Sequence, residues 1–297
     1  MEQKIKLFGE RNTGTRAMIQ MLQGAEGVTL NSGGASDTMG NVEWAKLSAG
    51  INLYYRREYR KIYVDALRDN VAHETNPIAA WKHASPRWSA DFADQRVSVL
   101  FALRNPYSWA LSMARKPYHM KAERTGDFGA FISRPWLTER RDNCGIVLGS
   151  VLGLWNQKLS AYLDFADHAA RHDLPIQFLR FEDFIQDPAA QMTEVLRGFD
   201  LPEAQLQPIE QSTKSNGKPL DQLQEFYADE GWKHRLTAPW VESINAQIDP
   251  ALMERFGYSR LDPQDFPVQL EQDNQRAFSM EMLNLGRKIT LQQAQHA

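Results

Sequence analysis

Between Lys4 and Leu22 the chain reads KIKLFGERNTGTRAMIQML, and that order of residue types restricts the fold more than any other stretch. An apolar strand, Ile5 to Phe8, runs into a turn bracketed by Gly9 and Gly14. A helical pattern follows, with Ala17, Met18, Met21 and Leu22 on one face. Strand, glycine-bounded loop and helix in that order form a cradle for an anion. The loop N–H groups and the helix N-terminus converge on one point, and the helix dipole favours negative charge there. Gly9 and Gly14 stand five apart, as do the glycines of G-x-x-x-x-G-K-[ST], but Thr15 and Arg16 occupy the places of the Lys and the Ser or Thr. The loop suits a phosphate without the usual Mg·ATP arrangement. A ligand-free strand-to-helix turn of an α/β core fits the same letters.

The rest of the chain extends the α/β pattern. Ile78 to His83 (IAAWKH) reads as a second strand, and Val97 to Leu103 (VSVLFAL) as a central strand covered on both faces, because its apolar run is nearly continuous. A helix opens after Pro106, which suits a first helical position. Ile146 to His172 has helical periodicity, Pro175 to Leu179 is another apolar strand, and a helix runs from Pro188 to Phe199 before Leu201-Pro202 stops it. Strands alternating with helices predict a three-layer α/β fold of the P-loop-like kind, a central, mostly parallel sheet with helices on both faces, through residue 262. Asn31 to Gly40 reads as a loop. Residues 41 to 75 are rich in aromatic and basic side chains, and two readings fit them: a helical insertion near an acceptor cleft, or a solvated helix whose aromatics pack on the core. Residues 263 to 297 are polar and Gln-rich and read as a weakly packed helical tail.

Composition excludes several classes. A formal charge of −3 over 297 residues argues against a general nucleic-acid binder. The single cysteine, Cys144, rules out an intramolecular disulfide and reads as a small apolar residue. No apolar run approaches the roughly 20 residues needed to span a bilayer, and a first strand starting by Lys4 leaves no room for a signal peptide, so the expected compartment is the cytoplasm.

A second chemical stretch, Arg104 to Arg115 (RNPYSWALSMAR), follows the carboxyl end of the central strand, where open α/β sheets place ligands. Arg104 lies at the strand end, and Ser112 is eight residues on, two turns into a helix that starts at Pro106. A guanidinium and a hydroxyl so spaced can reach one anion, and the planar fork of Arg suits phosphate. Taken singly, a strand-end salt bridge and a helix-surface serine explain them too.

These residues resemble the sulfotransferases that use 3′-phosphoadenosine 5′-phosphosulfate. Phe8 to Arg16 (FGERNTGTR) is similar to the family's strand–loop–helix signature, with its Gly-Thr pair, for the 5′-phosphosulfate. Arg104-Asn105-Pro106 with Ser112 matches the pair that binds the 3′-phosphate. Arg180 to Pro188 (RFEDFIQDP), Gly231-Trp232-Lys233 and Phe256-Gly257-Tyr258 resemble later landmarks in order. The resemblance implies transfer of a sulfuryl group from that nucleotide to a hydroxyl or amine of a small-molecule or carbohydrate acceptor, with no metal, no nucleic acid and no membrane span. It implies donor binding by Arg11, Asn12, Thr13, Gly14, Thr15, Arg16, Arg104 and Ser112. Many members carry Lys two places before the loop glycine. That place is Asn12 here, with Arg11 beside it, so Arg11 is the expected cation for the leaving group.

In-line attack on sulfur asks the protein to position groups, to stabilise spread negative charge and to take one proton. His83 is the expected base, because it closes the IAAWKH stretch and Lys82-His83-Ala84-Ser85-Pro86 resembles the family's Lys-x-His-x-Pro with His one place early. A structural histidine fits that position equally well. His168 and His172 stand four apart, but a third metal ligand is not visible, so they read as a solvated helix end. Two other classes keep the opening motif: a P-loop kinase or NTPase, which wants the missing Lys-[ST], and a non-catalytic nucleotide-binding protein, which needs no base.

Overall fold

The computed structural model describes residues 3–23, 25–31, 41–54, 77–118, 126–202, 205–212 and 217–282. The strands are β1 (Gln3–Gly9), β2 (Val28–Asn31), β3 (Ser98–Leu103), β4 (Trp136–Leu137), β5 (Val147–Leu148) and β6 (Ile176–Arg180). The helices are α1 (Thr15–Leu22), α2 (Asn41–Tyr54), α3 (Ala90–Asp94), α4 (Pro106–Arg115), α5 (Phe128–Ser133), α6 (Val151–Ala170), α7 (Phe181–Gln186), α8 (Pro188–Arg197), α9 (Leu220–Ala228), α10 (Ala238–Asn245), α11 (Pro250–Arg255) and α12 (272–282). The fold is mixed α/β, and the chain divides into two compact units.

The first unit comprises Met1–Leu103, Glu139–Cys144 and Ser160–Gly217 and holds a four-stranded parallel sheet in the order β2-β1-β3-β6. Its register pairs Leu7 with Leu100 and Phe8 with Phe101, and Phe101 in turn with Phe178. Side chains alternate across a strand. Ile5, Leu7, Leu100 and Ala102 therefore enter one apolar layer with Met18, Met21 and Leu22 of α1 and Met192, Val195 and Leu196 of α8. Phe8 and Phe101 enter the opposite layer, where Phe101 stacks on Tyr162 at 4.6 Å and on Phe178 at 5.3 Å. Burial on both faces is why β3, wholly buried, reads as one continuous apolar run.

One strand is not where the sequence puts it. Ile78 to His83 is a short 3₁₀ turn (Pro77–Ala79) followed by irregular chain, and the strand beside β1 is instead Val28–Asn31, paired Gln3 to Val28 through Lys6 to Asn31. An apolar run of six does not by itself distinguish a strand from a buried turn, and two alanines favour neither. Separate contacts from β1, not a ladder, fasten the segment. The Lys6 ammonium, on a fully buried side chain, donates to the Ala80 carbonyl, and the Gly9 N–H donates to the Lys82 carbonyl at 2.8 Å.

The second unit comprises Arg104–Thr138, Gly145–Leu159 and Lys218–Ala297. Asn105 caps α4, its side-chain oxygen accepting from Tyr107 N–H and Ser108 N–H at 3.0 and 3.4 Å, and Pro106 fills the first turn. Nine of the ten α4 residues are buried, so this helix is a core element despite its two serines. Phe128 lies at the centre of an aromatic cluster with Phe131, Trp240 and Phe278 at 6.4, 5.1 and 5.8 Å. Phe278 and Met282 give α12 a buried face. Of the aromatic and basic stretch 41 to 75, the part after Tyr54 lies outside the described residues, and α2 ahead of it leaves Leu47 and Leu53 exposed.

Candidate functional site

In the first unit the loop between β1 and α1 turns through two left-handed residues, Asn12 at φ 68° and Gly14 at φ 84°. Such alternation points successive N–H groups inward and makes an anion-receptive concavity. No side chain caps α1, whose N-cap is Gly14; the Ala17 N–H turns back to the Gly14 carbonyl at 2.9 Å. Gly14 is dictated twice over. Its φ suits glycine, and a Cβ there would lie 2.9 Å from the ring of Phe181. The Thr13 hydroxyl donates to the Glu10 carbonyl at 2.6 Å and tightens the turn. Arg16 is exposed on the first turn of α1, whereas Asn12, Thr13 and Thr15 are buried.

Arg11 is only 2% exposed. Its guanidinium Nη1 donates to Glu10 Oε1 at 2.9 Å and to Asp142 Oδ1 at 3.0 Å, and Nη2 donates to Glu139 Oε2 at 3.3 Å. Burial alone would pull the Arg11 pKa down, but Glu10, Asp142 and Glu139 more than reverse that, so the charge is firmly held. The 139–142 turn is itself preset: Glu139 N–H donates to Asp142 Oδ2 at 2.8 Å in a capping box. Trp81 receives the Arg11 guanidinium at 4.6 Å and that of Arg141 at 4.3 Å. The sequence singles out Arg11 but none of these partners.

His83 is brought against the start of the loop. Its ring Nδ1 lies 2.5 Å from the Gly9 carbonyl oxygen, and its ring meets Trp81 edge-on at 4.9 Å. A carbonyl only accepts, so Nδ1 carries the proton and Nε2 is the basic nitrogen of the neutral ring.

In the second unit Arg104 is 2% exposed. Its Nε donates to the Ser108 hydroxyl at 3.0 Å, and its Nη2 donates to the Ser108 carbonyl at 3.2 Å and to the Tyr227 hydroxyl at 2.5 Å. Its own carbonyl accepts from Trp155 Nε1 at 3.0 Å. Ser112, 1% exposed, accepts from Arg115 Nη2 at 3.2 Å. Arg115 Nε has no acceptor among the described residues. Burial first, then the positive charges of Arg235 and Arg104, push the Arg115 pKa below its usual value. Arg115, Arg235 and Tyr227 are additions that sequence reasoning passed over. Arg115 was within reach, three places after Ser112 on the same helical face.

Two histidines read as a helix end do stand on one: Trp88 stacks on His168 at 5.8 Å and on His172 at 5.0 Å. Among the described residues no group of three His, Cys, Asp or Glu side chains is placed to hold a metal ion, and no helix is long and apolar enough to cross a membrane.

No family model matches the chain, and no curated protein sequence does. Among solved structures it is similar to a "Sulfotransferase Domain from the Curacin Biosynthetic Pathway", at 12% identity and a TM-score of 0.41, covering 88% of this chain and 99% of that one. A likeness that distant assigns no activity.

Proposed function

We propose that this protein is a sulfotransferase that moves a sulfuryl group from 3′-phosphoadenosine 5′-phosphosulfate to a hydroxyl or amine. The observation that carries the reading lies within the first unit. A loop with two left-handed residues and an uncapped helix start is suited to an anion, and a histidine whose Nδ1 faces the Gly9 carbonyl stands at the head of that loop. An anion cradle with a proton acceptor beside it is what in-line attack by a neutral hydroxyl requires.

In this reading the loop N–H groups, Thr13, Thr15 and the exposed Arg16 take the 5′-phosphosulfate, and Asn12 and Gly14 give the loop its shape. Arg11 stays committed to Glu10, Asp142 and Glu139 and acts on the leaving group by holding the loop in place. Arg104 and Ser112 take the 3′-phosphate. His83 Nε2 accepts the proton of the attacking oxygen or nitrogen as the bond from sulfur to the bridging oxygen breaks, and adenosine 3′,5′-bisphosphate leaves. Without the Lys-[ST] pair, the loop needs no Mg²⁺.

Calorimetric titrations with adenosine 3′,5′-bisphosphate and ATP in excess EDTA, and separately with ATP in excess Mg²⁺, test the reading. Adenosine 3′,5′-bisphosphate should bind well ahead of ATP, and labelled donor should transfer sulfate to at least one member of an acceptor library. Tighter binding of Mg·ATP than of the bisphosphate would favour phosphoryl transfer and refute the proposal. Bisphosphate binding with no transfer to any hydroxyl or amine would leave a nucleotide-binding protein.

A further inference from the structure

The second unit sets two guanidiniums on one carboxylate, with Arg104 acting on one of them. Glu281, on α12, receives Arg235 through both oxygens, Nη1 to Oε2 at 2.6 Å and Nη2 to Oε1 at 3.2 Å, and its Oε2 lies 3.7 Å from Arg115 Nη1. Arg115 in turn reaches the Ser112 hydroxyl and feels the charge of Arg104. Burial alone would raise the Glu281 pKa, but the hydrogen bond and charge of Arg235, then Arg115 and Lys218, hold it below the usual carboxylate range. The Glu281 side chain is 42% exposed, and those of Arg115 and Arg235 are 29% and 27% exposed, so the pair is open to exchange with a solute.

We propose that Glu281 is a resident counter-ion that an incoming phosphate monoester displaces, with Arg115 and Arg235 completing the phosphate site that Arg104 and Ser112 begin. The inference rests on the sulfotransferase reading for the identity of the ligand, though not for the chemistry of the cluster. One carboxylate, singly charged and half in water, satisfies two guanidiniums incompletely. A phosphate dianion has the charge and the oxygens to engage both of them and Arg104. The swap makes the C-terminal helix responsive to ligand: when Glu281 loses its partners, α12 keeps, among the described residues, the apolar anchorage of Phe278 and Met282 and the bond from the Ser279 hydroxyl to the Gly126 carbonyl at 3.4 Å.

Two measurements on the full chain test this. First, Glu281→Gln, which keeps the shape and removes the charge, should bind adenosine 3′,5′-bisphosphate roughly three- to fivefold more tightly, the worth of a partly exposed ion pair. Adenosine 5′-phosphate, which lacks the 3′ group, should be unaffected. Affinities within twofold of the parent, or weaker, would overturn the proposal. Second, hydrogen exchange of the unmodified protein should speed up across 272–282 when bisphosphate is added. Unchanged or slower exchange there would overturn the displacement independently of any variant. If neither protein binds the bisphosphate, the sulfotransferase reading falls, and inorganic phosphate becomes the probe. Tighter phosphate binding by the variant then upholds the counter-ion role, and equal or absent binding ends it.

Discussion

Replacing Arg11 by Met removes a charge without emptying the space it fills, and the structure fixes what that should cost. Glu10 and Asp142, 5% and 0% exposed, would each lose the Arg11 guanidinium, and Glu139 would keep Arg141. Stranding one side of a buried ion pair costs about 3–5 kcal/mol. For a chain of this size that corresponds to a fall in Tm of roughly 10 °C. Urea unfolding followed by tryptophan fluorescence at pH 7 measures this, and adding Asp142→Asn to the variant should recover part of the loss. A loss below about 1 kcal/mol at pH 7 would show that the carboxylates do not depend on Arg11. Arg11 would then return as a cation for the leaving group.

Arg104→Ala should weaken adenosine 3′,5′-bisphosphate binding by about 2–4 kcal/mol in calorimetry and barely change adenosine 5′-phosphate binding; equal losses for both would take Arg104 out of the 3′-phosphate role. His83→Ala should lower turnover on the true acceptor by on the order of 10²–10⁴ with bisphosphate affinity intact. Retained turnover would make His83 structural. Tyr162→Phe addresses a hydroxyl that is buried, has no hydrogen-bond partner among the described residues, and has its pKa raised well above the usual value by burial and then by Glu10. The change should be neutral or stabilise by up to about 1–2 kcal/mol in thermal unfolding, and a clear loss would reveal a partner for that oxygen.

The parts of the fold set by local chemistry were legible in the sequence. Gly9 and Gly14 punctuate a strand and a helix, and β3 announces its burial by an unbroken apolar run. β2 was not, because four residues, Val28–Asn31, make too short a window for a period to show. IAAWKH was misread because its fastening is tertiary: a lysine ammonium from β1 and one backbone bond from Gly9 hold it. The candidate residues themselves were readable by spacing, but their neighbours were not. The bond from Arg11 to Glu139 spans 128 positions, and nothing near Arg115 in the sequence points to Glu281. Long-range ion pairs are chosen by the packed fold, so a residue's charge is legible long before its commitments are.

The φ of 68° at Asn12 has a consequence for how chains like this one are recognised. Asparagine is among the few side chains that tolerate the left-handed region, and a lysine there would meet the steric cost that most L-residues meet. The letter at that position thus answers to the shape of the turn as well as to the charge of a ligand. A search written around the letter lysine passes over every chain that draws the same curve with a different residue. One written around the backbone, a left-handed residue, one step, then a left-handed glycine opening a helix, retains them and leaves the charge to be found elsewhere on the loop.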